Sequence, residues 1–160
     1  MTTPPTDPAR SPYLPPRWFI RLAWIAHRAL LRVSRGRRGL WLPKPDGWGT
    51  LLLESTGRRS GKSREAVLGY IEDGPNLVTL AMNGWGAPEP AWWLNLQAHP
   101  EATVTLKDGR SRMRARAAIG EERRRLWARW QGHGDSVDGY ATRRPGETAV
   151  VVLEPLATAD

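Results

Sequence analysis

The eight residues Gly57-Arg58-Arg59-Ser60-Gly61-Lys62-Ser63-Arg64 hold two glycines, two serines and four cations, with no acid among them. Glycine frees backbone N–H groups, serine adds hydroxyls, and guanidinium forks donate to oxyanions in pairs. Such a stretch suits a phosphate or carboxylate ligand. A basic, solvated hairpin turn uses the same residue types, so the local sequence leaves both readings open.

Spacing narrows the choice of ligand. Gly57 to Ser63 resembles a nucleotide P-loop, but three residues separate the glycines where four are needed. A P-loop also opens a helix whose N-terminus cradles the phosphate, whereas a strand-like run follows here. Nucleotide hydrolysis is therefore rejected. No Ser-His-Asp or Cys-His set assembles elsewhere, and no carboxylate pair stands out in an apolar setting. The absence of cysteine excludes disulfides and thiolate chemistry. His27, His99 and His133 are scattered without metal-like spacing, and no metal site is expected. An enzyme without this equipment relies on a bound cofactor.

The elements that must position the loop are mostly short strands. Thr50 to Ser55 reads as a largely buried strand leading into it, and Glu65 to Glu72 as a second leading away. Asp73-Gly74-Pro75-Asn76 is a turn, and Leu77 to Met82 a third strand, which together predict an antiparallel meander. A short helix follows from Pro90 to His99-Pro100. Its Trp92, Trp93, Leu94 and Leu96 are too apolar for a solvated helix and predict a plug. Thr103 to Leu106 and Arg110 to Ile119 form a hairpin about Asp108-Gly109. Glu121 and Glu122 open a helix carrying Leu126, Trp127 and Trp130, with acids at its positive end. A polar segment, Gly132 to Gly146, precedes a closing strand from Thr148 to Leu153. Six strands with few helices predict a mainly β fold, a small β-barrel with short helices at its openings.

The formal charge of +8 suggests a nucleic-acid protein until it is located. Residues 1–48 carry nine Lys/Arg against two Asp, while residues 49–160 carry fifteen against fourteen Asp/Glu. The excess sits on an arm, and no nucleic-acid partner is expected. Residues 1–16, with six prolines, read as a disordered tail. Residues 17–48 read as a basic amphipathic helix and linker, and residues 49–160 as the barrel domain. Arg17, Arg21, Arg28, Arg32 and Arg35 share one helical face opposite an apolar stripe, too often interrupted to span a bilayer. Residues 17–38 suit peripheral contact with a membrane interface, and the expected location is cytoplasmic, on the inner face of the cell membrane. A helix packed on the domain, with its arginines in water, is the plainer alternative.

In this order the pieces resemble the deazaflavin-dependent nitroreductase and quinone reductase family. Ser55 to Arg64, Asp73-Gly74, Ala81-Met82-Asn83-Gly84, Pro90 to Pro100, Gly120 to Arg123 and Val150 to Pro155 carry the likeness, collinear over residues 36–155. The resemblance implies a split β-barrel that binds coenzyme F420, an 8-hydroxy-5-deazaflavin with a phosphate and a polyglutamate tail. It also implies hydride transfer to quinones, nitroaromatics or other lipophilic acceptors. Arg58, Arg59, Ser60 and Arg64 then suit the anionic tail. Arg64, Glu65, Ala66, Val67, Leu68 and Gly69 border the cofactor, as do Leu80, Ala81, Met82 and Asn83. Ala91, Trp92, Trp93, Leu94 and Asn95 cover it, although the two indoles also fit a plain core plug. Tyr140 is placed to position the acceptor. Related barrels often dimerise, so a homodimer is compatible, though no residue demands it. The alternatives are a non-catalytic deazaflavin or lipid carrier on the same fold, and an FMN-dependent oxidoreductase.

Overall fold

The computed structural model describes residues 22, 26, 39–45, 47–82, 88–133, 141 and 146–157. Six strands form where leucine and β-branched residues concentrate or alternate: β1 (Gly49–Thr56), β2 (Ser63–Asp73), β3 (Asn76–Leu80), β4 (Glu101–Thr105), β5 (Arg110–Ala117) and β6 (Val150–Pro155). All neighbours are antiparallel, and the order β1-β2-β3-β6-β5-β4 closes into a barrel. The expected meander is β1-β2-β3. Most strand ends lie within two residues of the sequence expectation. β2 starts at Ser63 and β4 at Glu101, two residues early in each case, because Ser63 pairs with Thr56 and Glu101 with Arg114.

Two turns show why their residues are there. Gly74 closes the β2–β3 turn at φ 61 and Gly120 enters the second helix at φ 56, left-handed backbone that glycine adopts without strain.

Alternation sorts side chains between the two faces of the wall. Leu51, Leu53, Tyr70, Leu77, Val104, Met113, Val151 and Leu153 fill the interior from all six strands. Helix α1 (Ala91–Ala98) adds Trp92, Trp93 and Leu96 to the same cluster, so it plugs the barrel as expected. The interior is a packed core rather than a lumen. Ile71, Val78, Leu80, Val150 and Val152 face outward, where helix α2 (Gly120–Gln131) covers them with Leu126 and Trp130. Both faces of β3 and β6 are thus buried, which explains their uninterrupted apolar sequence. α2 lies on the outer wall rather than at an opening. Leu40 packs against Val67 and Leu52 on the outer face of β1 and β2.

The tail of residues 1–16 lies outside the described residues, as do all of the arm to residue 38 except Leu22 and Ala26, which are helical. Asn83 and Tyr140 lie outside them as well. No helix among the described residues is long and apolar enough to cross a membrane.

Candidate anion loop and cofactor edge

The Gly57–Lys62 loop is a closed turn fastened at its base. Gly57 N–H donates to Lys62 O at 2.8 Å, and Gly61 N–H returns to Gly57 O at 2.7 Å. Gly61 is left-handed at φ 64. A Cβ on Gly57 would lie 2.9 Å from Ser60 Oγ and 3.1 Å from Lys62 O, so any larger residue there would crowd the base of the turn. The loop is tied across the barrel mouth to α1. Arg58 donates to Asn95 Oδ1 both from its backbone N–H, at 3.1 Å, and from Nη1, at 3.2 Å. Asn95 is buried among the plug residues, and this bond satisfies its carbonyl. Residues 58–64 are all exposed.

Charge pairing separates this loop from the rest of the wall. Arg110 pairs with Glu54, Arg112 with Glu101, Arg116 with Glu122 and Glu154, and Arg123 with Glu147. Arg124 pairs with Glu121, and Arg125 and Arg129 share Asp73. Hydrogen bonds from Arg125 hold the Asp73 carboxyl below its ordinary range, and those from Arg116 do the same for Glu122. Among the described residues, Arg59, Lys62 and Arg64 have no carboxylate partner. The loop therefore presents open cationic donors where most of the wall is neutralised.

Beside the loop, the two ladders of β2 are offset. Its ladder with β1 runs from Ser63 to Tyr70, but among the described residues its ladder with β3 is confined to Ile71–Val78, Glu72–Leu77 and Asp73–Asn76. Along Ala66 to Gly69, alternate backbone groups of β2 thus point away from β1, beyond the reach of the described β3 ladder. The stretch of residues 64–69 from the sequence expectation falls on this edge. Ala66 and Leu68 are half-buried against the interior, and Glu65 is half-buried. Val67 lies under Leu40, and Gly69 lies under Trp48 and Trp130, whose atoms would be 3.3 and 3.6 Å from an added Cβ. Those two positions offer backbone rather than side chain.

Across the edge lies the end of β3. Leu80 and Ala81 are buried, and Met82 is half-buried against the outer cluster together with Trp127. On α1, Trp92 and Trp93 belong to the barrel core, their rings 6.3 Å apart, while Ala91 is exposed and Leu94 half-buried. The structure thus gathers Arg58, Arg59, Ser60, Arg64 and Asn95 at one barrel mouth. It gives Trp92 and Trp93 the plug role.

A family profile described as F420H(2)-dependent quinone reductase matches residues 24–155, most of the chain. The chain belongs to that family. Its cofactor is therefore coenzyme F420, and its chemistry is oxidoreduction. A provisionally named F420H(2)-dependent quinone reductase of Mycobacterium tuberculosis is 39% identical over 92 residues, 58% of this chain and 72% of that protein. A second from the same species, named F420H(2)-dependent quinone reductase, is 30% identical over 94 residues, which is 56% of this chain and 62% of that protein. A solved F420-H2 dependent reductase superposes with a TM-score of 0.60 at 27% identity, covering 66% of this chain and 93% of that one. The barrel of this quinone reductase family member is a split barrel of that kind.

The residues present fit the cofactor. A phosphate and carboxylate tail needs unpaired cations and hydroxyls, which Arg59, Lys62, Arg64 and Ser60 supply at the exposed loop. A planar heterocycle needs backbone donors and acceptors along one edge, which β2 offers beside the loop. Sequence reasoning about this quinone reductase family member missed the Arg58–Asn95 tie. The signal was an asparagine inside the apolar run Trp92-Trp93-Leu94-Asn95-Leu96, a polar group that needs a partner once buried.

Proposed function

We propose that the chain is an F420H2-dependent reductase whose Gly57–Arg64 loop holds the cofactor's anionic tail and whose β2 edge and β3 end hold its ring. The observation that carries this reading is the group of loop cations, Arg59, Lys62 and Arg64, with no carboxylate partner among the described residues. When bound, the reduced deazaflavin supplies the hydride. The protein's own work is then to bind, orient and exclude water. Arg59, Ser60, Lys62 and Arg64 fix the tail, and each charge-assisted hydrogen bond contributes roughly 1.5–3 kcal/mol. Backbone groups of residues 64–69, with residues 80–83, would border the ring. Asn95 holds the loop against α1.

The acceptor is a lipophilic quinone or nitroaromatic, and Tyr140 donates a hydrogen bond to its carbonyl or nitro oxygen. Met82 and Trp127 supply an apolar flank to that side. Among the described residues the barrel interior is filled by the Leu51, Leu53, Tyr70, Trp92 and Trp93 cluster, which favours a reductase over a lipid carrier. Residues 17–38 place the protein on the cytoplasmic face of the membrane, where such acceptors dissolve. Residues 1–16 act as a tail, residues 17–48 as arm and linker, and residues 49–160 as the catalytic domain. Homodimerisation is compatible with this arrangement, and sedimentation equilibrium reads it directly.

Turnover is the test. Reduced F420 should be consumed when a menadione-type quinone or a nitroaromatic is added, and FMN should not replace it. Tight cofactor binding with no oxidation across a panel of acceptors would make the protein a carrier instead.

A further inference from the structure

The segment that joins the arm to the barrel carries an exposed apolar group. Trp41, Leu42 and Trp48 are 41%, 41% and 42% exposed, although large apolar side chains are mostly buried elsewhere in the described wall. The group is held rigidly. Thr50 N–H donates to Trp41 O at 2.9 Å, Trp41 N–H donates to Thr50 Oγ1 at 3.1 Å, and that hydroxyl donates to Gly39 O at 3.2 Å. Trp41 Nε1 donates to Trp48 O at 3.2 Å, and the two rings sit 5.5 Å apart, tilted by 47°. Buried Leu40 anchors the segment on β1 and β2. Lys44 is exposed beside them, with no carboxylate partner among the described residues.

We infer that Trp41, Leu42 and Trp48, with Lys44, form a membrane-contacting ledge on the folded barrel that enters the headgroup boundary of an anionic bilayer. This rests on the proposed membrane contact of residues 17–38 and extends it from the arm to the barrel wall. Three arguments favour lipid as the occupant. Indole rings, apolar bodies with one polar N–H edge, prefer the interface between headgroups and acyl chains. The exposed apolar area is roughly 300 Å², given aromatic side-chain areas of about 150–250 Å². That is well short of the roughly 800 Å² per partner of a stable protein interface, whereas a bilayer needs no closed footprint. Charge is complementary as well, because Lys44 and the basic arm precede the barrel in sequence and anionic headgroups attract both.

The ledge also orients the protein. It lies where β1 begins, and the cation loop lies where β1 ends eight residues later. At about 3.3 Å per residue, the two are roughly 25 Å apart along the hairpin. Contact at the ledge leaves the loop in water for its soluble cofactor.

The chain has no cysteine, so Leu42→Cys gives a single labelling site in the full-length protein. An environment-sensitive fluorophore at residue 42 should shift to the blue on addition of phosphatidylcholine–phosphatidylglycerol vesicles. The same probe at Gln97→Cys, exposed on α1, should not respond. Trp41→Ser combined with Leu42→Ser should lower vesicle partitioning about tenfold or more, with an unchanged circular dichroism spectrum and cofactor affinity. If the protein sediments with vesicles while the residue-42 probe is silent, the ledge is refuted and the arm alone binds. A shift without vesicles that grows with protein concentration also refutes it, since a second copy then covers the ledge. No sedimentation at all refutes ledge and arm together. A persistent shift after Arg28, Arg32 and Arg35 are changed to Gln upholds the ledge and shows that it does not need those arginines.

Discussion

Asn95 Oδ1 accepts from both the backbone N–H and the guanidinium of Arg58, so one amide oxygen on the barrel plug fastens the cation loop in place. The two residues are 37 positions apart. Asn95→Ala removes both bonds and leaves the Arg58 N–H without this acceptor, at a cost of about 1–3 kcal/mol. Hydrogen exchange at residues 57–62 should accelerate, and F420 should bind more weakly. Asn95→Asp keeps an acceptor oxygen and should recover most of the protection. Unchanged exchange in Asn95→Ala would show that the loop holds itself.

Tyr70 is fully buried in the barrel interior, and its hydroxyl has no hydrogen-bond partner among the described residues. Burial, with Glu72 and Asp108 adding repulsion, pushes its ionisation up to about 12. The folded state thus favours the neutral phenol. Its stabilising contribution is complete below the ordinary value of 10.0 and is lost as the pH rises from there through about 12. Tyr70→Phe removes an unsatisfied polar group and should raise stability by roughly 1 kcal/mol. It should also flatten the alkaline limb of a urea-unfolding series. Destabilisation by this change would reveal a hydroxyl partner.

Asp73 joins the β2–β3 turn to α2 through Arg125 and Arg129, and Arg129 Nη2 also donates to Glu72 O at 2.7 Å. Because its folded pKa is lowered, its contribution is present above the ordinary carboxylate value of 3.8 and is lost as the pH falls below it. Asp73→Asn should lower Tm at neutral pH, and the deficit should shrink as the pH falls below 3.8. A deficit that does not change with pH would assign the effect to packing rather than charge.

Gly49 faces the Tyr70 ring. An added Cβ would lie 2.7 Å from Tyr70 Cε1 and 2.8 Å from the backbone nitrogen of Pro43. Neither neighbour can yield cheaply, so Gly49→Ala should cost about 1–3 kcal/mol in chemical denaturation. Gly109, with nothing nearby, should tolerate the same change far better.

Much of this was legible because short-range patterns carry it. Asp73-Gly74 and Asp108-Gly109 punctuate the strands, and the Trp92–Leu96 run announces a buried helix. The loop's composition shows its charge. What sequence could not show is tertiary. The β2–β3 ladder stops after three residue pairs because the strands part as the barrel closes, and no local pattern reports that. The Arg58–Asn95 tie and the sharing of Asp73 by two arginines likewise join residues far apart in the chain. Val67 and Gly69 read as bordering the cofactor, and Leu40 and Trp48 of the linker and Trp130 of α2 cover their side-chain positions.

The proposed grip of the loop on the cofactor's acidic tail can be measured directly. The decisive measurement is the Kd of F420, and of the same chromophore without phosphate and glutamates, for the wild type and for Arg59→Ala, Lys62→Ala and Arg64→Ala variants. The wild type should strongly prefer the intact cofactor. Each alanine should weaken F420 binding about tenfold to a hundredfold, the equivalent of roughly 1.5–3 kcal/mol, while leaving the tail-free chromophore unaffected. If the variants bind intact F420 as tightly as the wild type does, Gly57–Arg64 is a basic turn and the tail is held elsewhere.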